Sequence, residues 1–231
     1  DASTRRYWRV ITPSRSLIVM DAPDQAADCM AFVKVQSLMQ NAGLRVPEIY
    51  AADTQMGFML LEDLGSKDYL AAFQQGGCAE LMRSALTALV QWQAATRPAV
   101  LEVFDAERLA TELALFPVWY VERHLGVTPD PAWQACWDEG VRVLIESAVS
   151  QPQVWTHRDY MARNLLVAEP GPGVIDFQDA LCGPVTYDLS SLLRDAFFSF
   201  PQDEEASYIQ MWLEMARAAD VSLPAEPYRA I

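Results

Sequence analysis

The sequence predicts an α+β fold with a small antiparallel-sheet lobe followed by a larger, mostly helical lobe. Strand-like runs are crowded into the first sixty residues, whereas apolar residues at helical spacing dominate the rest. The pattern breaks at 62–65, the run Glu-Asp-Leu-Gly, so we assign residues 1–64 to the first lobe and 65–231 to the second. We expect the first lobe to be incomplete at its start and the second at its end.

The first lobe is expected to contain four strands and one helix. The strands are predicted near 6–11, 16–20, 48–52 and 57–61, with turn residues after the first and the third. The helix is predicted near 25–40, and Gly43 is its stop signal.

The second lobe is expected to be built mainly of helices. They are predicted near 67–74, 78–95, 106–123, 130–149, 186–197 and 203–219, with short strands near 165–168 and 173–176. Five aromatic residues fall at helical spacing, and because aromatic side chains supply much of core burial, we expect them in the core. They are Trp92, Trp119, Tyr120, Trp133 and Trp137.

Composition excludes several classes of function. Hydrophobic residues make up 52% of the chain, which is enough for a packed core and argues against disorder. The net charge of -14 argues against nucleic acid and against anionic membranes as partners. The four cysteines are far apart and form no Cys-x-x-Cys pair, which favours reduced thiols in the cytoplasm. We expect a cytoplasmic protein, either a monomer or a weak dimer.

The run Thr-His-Arg-Asp-Tyr-Met-Ala-Arg-Asn at 156–164, followed by Val-Ile-Asp at 174–176, indicates phosphoryl transfer. Such enzymes use one carboxylate to orient the attacking hydroxyl, and an Asn with a second Asp to hold Mg²⁺ on the nucleotide phosphates. We therefore predict Asp159 as the catalytic carboxylate, Asn164 as a catalytic and metal-binding residue, and Asp176 as a metal ligand. His157 is a further catalytic candidate, either as a proton relay or, as we favour, by ordering the loop.

The phosphate-binding groups are harder to assign, because the chain has neither a Gly-x-x-x-x-Gly-Lys nor a Gly-x-Gly-x-x-Gly motif. Ser3, Thr4 and Arg5 precede the first strand and are candidates for nucleotide binding. Arg6 and Arg9 either add charge there or only face outward from an exposed strand.

A second gap lies at the end of the second strand, where kinases of this kind normally carry a phosphate-holding Lys paired with a helical Glu. Here the strand runs into Asp21, and Lys34 lies on the following helix. A reversed pair of Asp21 with Lys34 is one interpretation, and a solvated Lys34 is the other.

Taken together, these motifs make the chain resemble the aminoglycoside phosphotransferase-fold, choline-kinase-like small-molecule kinases, which share a protein-kinase-like bilobal fold. Within them it is most similar to the bacterial N-acetylmuramate/N-acetylglucosamine anomeric kinases of cell-wall sugar recycling. The resemblance covers most of the chain. The stretches that carry it are 1–9, 19–23, 60–65, 112–120, 157–166 and 174–189.

The resemblance implies that ATP and Mg²⁺ are used to phosphorylate the anomeric hydroxyl of a small amino sugar. It places the adenine at the hinge near Glu62 and Leu64, with Met20 in the same nucleotide site, and it makes Asp188 the acid that supports the catalytic loop. Asp179 is either a sugar contact or a structural hydrogen-bonding residue. Arg163 and Arg194 are candidates for the carboxylate of N-acetylmuramate, although each is equally a surface or loop-supporting residue.

Other functions remain open at this point. A cationic alcohol, such as an aminoglycoside or choline, would suit the acidic charge. A non-catalytic nucleotide-binding regulator would explain the missing Lys, but the intact Asp159, Asn164 and Asp176 count against it. A protein kinase is disfavoured because only eleven residues separate Asp176 from Asp188, which leaves no long activation segment.

Overall fold

The predicted two-lobe architecture is confirmed. A computed structural model describes residues 5–22, 26–76 and 78–226. The first lobe is a four-stranded antiparallel sheet in the order β1-β2-β4-β3, and one helix follows β2 in the chain. Its elements are β1 (Arg6–Ile11), β2 (Ser16–Asp21), α1 (Ala26–Asn41), β3 (Ile49–Asp53) and β4 (Phe58–Glu62).

The sheet has one buried and one exposed surface. Met20 on β2 and Met59 on β4 are register partners, and both are buried. All six residues of β1 are exposed, as expected for an edge strand with one partner. On α1, Phe32 packs against Phe177 of the second lobe with ring centroids 4.7 Å apart. This helix therefore connects the sheet to the segment that follows Asp176.

The link between the lobes is fixed by ion pairs on both sides of it. The Asp63 carboxylate accepts hydrogen bonds from Arg9 on β1 and from the Ser16 hydroxyl on β2. Arg45 donates to the Glu62 carboxylate, with Nη1 at 2.7 Å, and its backbone carbonyl accepts from Val174 of the second lobe. The sheet ends at Glu62 and the next helix begins at Tyr69, so the predicted boundary at 64/65 falls between them.

The second lobe contains six α-helices among its described residues, with two short strand pairs between them. The helices are α2 (Tyr69–Gln74), α3 (Cys78–Ala94), α4 (Ala106–Leu113), α5 (Pro131–Val149), α6 (Tyr187–Leu193) and α7 (Gln202–Ala218). The strands are β5 (Gln153–Thr156), β6 (Leu165–Val167), β7 (Pro172–Val174) and β8 (Leu181–Pro184), where β5 pairs with β8 and β6 with β7. The pair β5–β8 is absent from the sequence prediction.

The core of this lobe lies where α3 meets α7. Met82, Leu86 and Leu89 of α3 recur at helical spacing and are fully buried. Trp212 of α7 is also fully buried, and its indole N–H donates to the Gln93 side-chain oxygen at 3.1 Å. A large apolar side chain with its one polar group satisfied is a strong source of core stability.

Two features of the helical prediction are wrong. The helix predicted over 106–123 is α4 followed by a π-helical segment, Phe116–His124, with Pro117 at its start. The predicted core positions Trp119 and Tyr120 are 56% and 48% exposed, and α5 has no buried residue. Trp119 and Tyr120 do lie in a helical segment, as their spacing predicted. However, no described part of the chain covers this side of the lobe.

We expect Trp212→Ala to lower the free energy of unfolding by about 3–5 kcal/mol, because it removes a large buried ring and leaves Gln93 without its donor. Chemical denaturation would measure the change. Trp8→Ala is the matched control, since Trp8 is 57% exposed on β1 and should change stability by less than about 1 kcal/mol. Equal losses in the two variants would contradict this account of the core.

Candidate active site

The loop between β5 and the short 3₁₀ turn Ala162–Asn164 carries the predicted catalytic carboxylate, and a buried acid holds the loop in place. The Asp188 side chain on α6 is fully buried and accepts the backbone N–H groups of His157 at 2.7 Å and of Arg158 at 2.9 Å. Burial raises the pKa of Asp188 to about 7, and the two N–H donors oppose that rise. These bonds agree with the loop-supporting role expected for Asp188.

His157 joins this loop to the segment that carries Asp176. Its Nε2 lies 3.0 Å from the carbonyl oxygen of Ile175, and its Nδ1 lies 3.3 Å from the backbone N–H of Asp159. The carbonyl requires a donor and the N–H requires an acceptor, so the neutral Nε2–H tautomer fits both contacts. Because both ring nitrogens serve the backbone, the geometry favours the loop-ordering role over a proton relay.

The predicted catalytic and metal-binding residues are brought together. The amide NH₂ of Asn164 donates to the backbone carbonyl of Asp159 at 2.9 Å, so its amide oxygen is the group able to ligate a metal. Asp176 adopts a left-handed backbone conformation with φ 62°, and Gln178 donates to its Oδ1 at 3.2 Å. The same Gln178 amide donates to the Asp179 carboxylate at 2.9 Å, which ties both acids to one side chain.

The site is strongly acidic. Burial raises the pKa of the Asp159 carboxyl above its ordinary value, and the negative charges of Asp176, Asp179 and Glu112 add to the rise, while Arg158 opposes it. A divalent cation would relieve this repulsion, and carboxylate and amide oxygens are the ligands that Mg²⁺ prefers. Among the described residues, no three His, Cys, Asp or Glu side chains form a metal-holding group. The oxygen donors of Asp176 and Asn164 are of the type that Mg²⁺ accepts together with phosphate and water ligands.

Arg158 and Glu112 are site residues that the sequence analysis did not assign. Arg158 has a left-handed backbone with φ 77°, and its guanidinium forms an ion pair with Glu112 of α4 and donates to the Asp179 carbonyl. Glu112 also accepts the Tyr187 hydroxyl at 3.1 Å. The signal available in the sequence was Arg158 itself, since a buried cation beside a catalytic Asp requires an acidic partner.

A cavity of about 460 Å³ opens beside these acids, and residues of both lobes line it. Lys34 and Val35 of α1 contribute to its lining, and so do Arg108, Thr111 and Glu112 of α4. Arg158, Gln178 and Asp179 form the end nearest the catalytic loop. The position of Asp179 in this lining agrees with a sugar contact, and its bond from Gln178 agrees with a structural role.

Other predicted contacts lie elsewhere. Arg163 stacks on Phe197 with its guanidinium carbon 5.1 Å from the ring centroid, and Arg194 donates to Glu205 at 3.0 Å. Neither lines the cavity, so their assignment to a sugar carboxylate stays a prediction that this geometry does not support. The ammonium of Lys34 donates to the Val100 carbonyl at 2.6 Å, rather than to Asp21 as the reversed pair required.

The predicted nucleotide contacts are only partly described. Ser3 and Thr4 lie outside the described residues. Arg5 lies within hydrogen-bonding reach of the Tyr7 phenol. Burial of the phenol raises its pKa, and the charge of Asp176 adds a smaller rise.

At the hinge, the Glu62 carboxylate is occupied by Arg45, which leaves only backbone groups for an adenine. Leu64 approaches Gly173 of β7 so closely that an added Cβ there would lie 2.9 Å from its Cδ1. Met20 of β2 is buried.

The fold and this arrangement of acids define a phosphotransferase. The model of the phosphotransferase enzyme family matches residues 1–222, and the chain belongs to that family.

Two curated relatives are each called N-acetylmuramate/N-acetylglucosamine kinase. The one from Pseudomonas aeruginosa is 47% identical over 97% of this chain and 66% of its own length, and the one from Pseudomonas putida is 42% identical over 98% of this chain and 67% of its own. The chain thus spans about two thirds of the length of these relatives.

Solved structures share the fold at low sequence identity. An aminoglycoside-3'-phosphotransferase of type VIII has a TM-score of 0.68 at 15% identity and covers 100% of this chain and 88% of its own. An ADP-bound aminoglycoside phosphotransferase has a TM-score of 0.59 at 14% identity over 94% of this chain and 81% of its own.

Among the described residues, the helices are all too short or too polar to span a membrane.

We expect the burial of His157 to make stability depend on pH. Its pKa is lowered to about 4 by burial, so the unfolded chain takes up this proton at higher pH than the folded chain does. The stabilisation is therefore complete above pH ~6.5 and is lost as the pH falls through about 4, with a total of about 3 kcal/mol.

Asp188 acts in the opposite direction, because its raised pKa removes stability as the pH rises towards about 7. The measurement must therefore compare two proteins that both keep Asp188, so that the effect of Asp188 on stability cancels. His157→Gln keeps a side-chain donor for the Ile175 carbonyl and does not titrate. The difference in unfolding free energy between wild type and this variant should be largest near pH 7 and shrink towards pH 4. Parallel curves would contradict the assignment of a buried, neutral His157.

Proposed function

We propose that this protein uses ATP and Mg²⁺ to phosphorylate the anomeric hydroxyl of N-acetylmuramate, of N-acetylglucosamine, or of both. The observation that carries the proposal is the arrangement of Asp159, Asn164 and Asp176 on segments joined by hydrogen bonds. Their neighbours Arg158, Gln178 and Asp179 line the adjacent cavity. The names of the relatives supply the substrate class. We further propose that the protein acts in the cytoplasm, where ATP is available, and serves the recycling of cell-wall sugars.

In this mechanism Asp159 accepts a hydrogen bond from the sugar hydroxyl and directs its oxygen towards the γ-phosphorus. Its raised pKa makes the carboxylate a better proton acceptor as the new bond forms. Asp176 and Asn164 would hold Mg²⁺, which supplies positive charge to the phosphate oxygens. The bonds from Asp188 and His157 keep the reacting groups in position before the substrates arrive, so little reorganisation is needed.

The nucleotide is proposed to lie between the sheet and the hinge. The backbone of Glu62 and Leu64 would bind the adenine, and Met20 would line its site from β2. Arg5 would supply positive charge to the phosphates, since the Tyr7 phenol beside it is close enough to Asp176 to sense its charge. Arg9 is instead committed to Asp63 and to the Gly65 carbonyl.

A cationic alcohol is the alternative acceptor, and the three acids clustered around Asp159 favour it. The cavity counts against it, because its three cations, Lys34, Arg108 and Arg158, balance its three acids, Glu102, Glu112 and Asp179. Its lining therefore has no net negative charge to attract a polycationic ligand. A non-catalytic regulator is disfavoured because each of the three phosphoryl-transfer side chains is present and positioned.

The deciding experiment is phosphorus NMR of the full-length protein with ATP, Mg²⁺ and N-acetylmuramate, followed by N-acetylglucosamine. A new sugar 1-phosphate resonance, with loss of the γ-phosphate signal of ATP, is the expected result. Transfer to an aminoglycoside or to choline, with none to either sugar, would overturn the proposal in favour of the alternative acceptor. ATP binding without transfer to any acceptor would favour the regulator.

Asp159→Ala should abolish transfer, with kcat at least about 1,000-fold lower, because it removes the carboxylate assigned to orient the hydroxyl. Nucleotide affinity should remain within about threefold of wild type, as measured by isothermal titration calorimetry with Mg²⁺ and a non-hydrolysable ATP analogue.

Asp176→Ala is the contrasting variant. It should lose the Mg²⁺-dependent part of nucleotide binding as well as transfer, because it removes the carboxylate assigned to the metal. Equal nucleotide affinity in wild type and Asp176→Ala at saturating Mg²⁺ would rule out this metal assignment.

A further inference from the structure

We propose that Arg108, assisted by Lys34, binds the carboxylate of the acceptor sugar and thereby sets the preference between N-acetylmuramate and N-acetylglucosamine. The inference rests on the proposed function and adds residues that the motifs do not reveal. It begins from the cavity beside the catalytic loop, whose volume of about 460 Å³ lies within the range of small-molecule sites.

The cavity has a catalytic end and a basic end. At the catalytic end, Gln178 bonds both Asp176 and Asp179, and Arg158 directly precedes Asp159 in the chain. At the basic end, Lys34 comes from α1 and Arg108 from α4. The whole chain has 17 Lys and Arg against 31 Asp and Glu. The cavity lining is balanced, because Lys34, Arg108 and Arg158 stand beside Glu102, Glu112 and Asp179.

The spacing along α4 sets the distance between the two ends. Arg108 precedes Glu112 by four residues, so the two side chains share one face of the helix, about 6 Å apart along its axis. Glu112 pairs with Arg158 at the catalytic end. Arg108 therefore lies one helical turn along α4 from the residue that pairs with Arg158, and both Arg108 and Arg158 line the same cavity.

The partner of Arg108 is exchangeable. Arg108 forms an ion pair with Glu102, and the two side chains are 43% and 73% exposed. Water screens such a pair, so a carboxylate on a ligand can replace Glu102 at little cost. Arg158 differs, because it is less exposed and is engaged by Glu112 and by the Asp179 carbonyl. Arg108 is thus the guanidinium in the cavity that is best able to bind a new anion.

The chemistry of the two sugars fits this division. N-acetylmuramate is N-acetylglucosamine with a lactyl ether on ring carbon 3, which ends in a carboxylate, and both carry the anomeric hydroxyl on carbon 1. In the proposed orientation that hydroxyl is directed to Asp159 and the lactyl group to the basic end. A guanidinium binds a carboxylate through two parallel hydrogen bonds, which makes Arg the residue suited to select the acidic sugar. The charge of Lys34 adds to the local positive potential.

The test is a comparison of both sugars on variants of the full-length protein. Arg108→Gln should lower kcat/KM for N-acetylmuramate by about 10- to 100-fold, mainly through KM, because a charge-assisted contact is lost. The value for N-acetylglucosamine should change by less than about threefold. Lys34→Gln should give a smaller loss with the same selectivity, and Arg108→Lys should restore part of the activity lost in Arg108→Gln.

Two further variants act as controls. Arg142 on α5 is 53% exposed and pairs with Glu139 and Glu146 outside the cavity. Arg142→Gln should therefore leave kcat/KM unchanged for both sugars. Glu102→Gln removes the competing anion and should lower KM for N-acetylmuramate only. Equal effects of Arg108→Gln on both sugars, or none on either, would overturn the assignment of Arg108. A wild type that phosphorylates neither sugar would overturn the proposed function together with this inference.

Discussion

One buried carboxylate holds the catalytic apparatus together. Asp188 is fully buried, and it accepts the two backbone N–H groups at the start of the catalytic loop. An unpaired charge at this depth would be strongly destabilising, so the loop and the acid require each other. His157 extends the constraint, because its ring links the Asp159 backbone to the Ile175 carbonyl and so fixes the positions on either side of the reaction.

The contacts between the two lobes depend on charge and on a small residue that allows a close approach. Arg45 pairs with Glu62 at the hinge and also accepts the Val174 N–H through its carbonyl, so one residue connects the sheet to the strand before Asp176. Gly173 allows Leu64 to approach that strand, since a Cβ would lie 2.9 Å from the leucine Cδ1. The hinge and the strand before Asp176 are therefore held together by a side-chain ion pair, a backbone hydrogen bond and one close apolar contact.

The sequence predicted the parts of this molecule that are governed by local order. The first-lobe strands, the long helices and the acids Asp159, Asp176 and Asp188 follow from periodicity, from spacing and from the family resemblance. The strand pair Gln153–Thr156 with Leu181–Pro184 did not, because each strand has four residues and the partners are far apart in the chain. Periodicity located Trp119 and Tyr120 on a helical face, but it carries no information about what covers that face. The basic end of the cavity was also missed. Lys34 was interpreted only as a partner of Asp21 or as a solvated residue, and no motif marks Arg108.

The walls of the cavity come from both lobes, with Lys34 on α1 and Arg108 on α4. A sugar in the cavity and a nucleotide at the hinge would both contact the interface between these lobes, and either ligand would favour one spacing of its two sides. Linkage then makes their affinities reciprocal: whatever factor the nucleotide adds to sugar binding, the sugar must add to nucleotide binding. The lobe arrangement thus provides a route to synergy between the two substrates in addition to their contact at the transferred phosphoryl group.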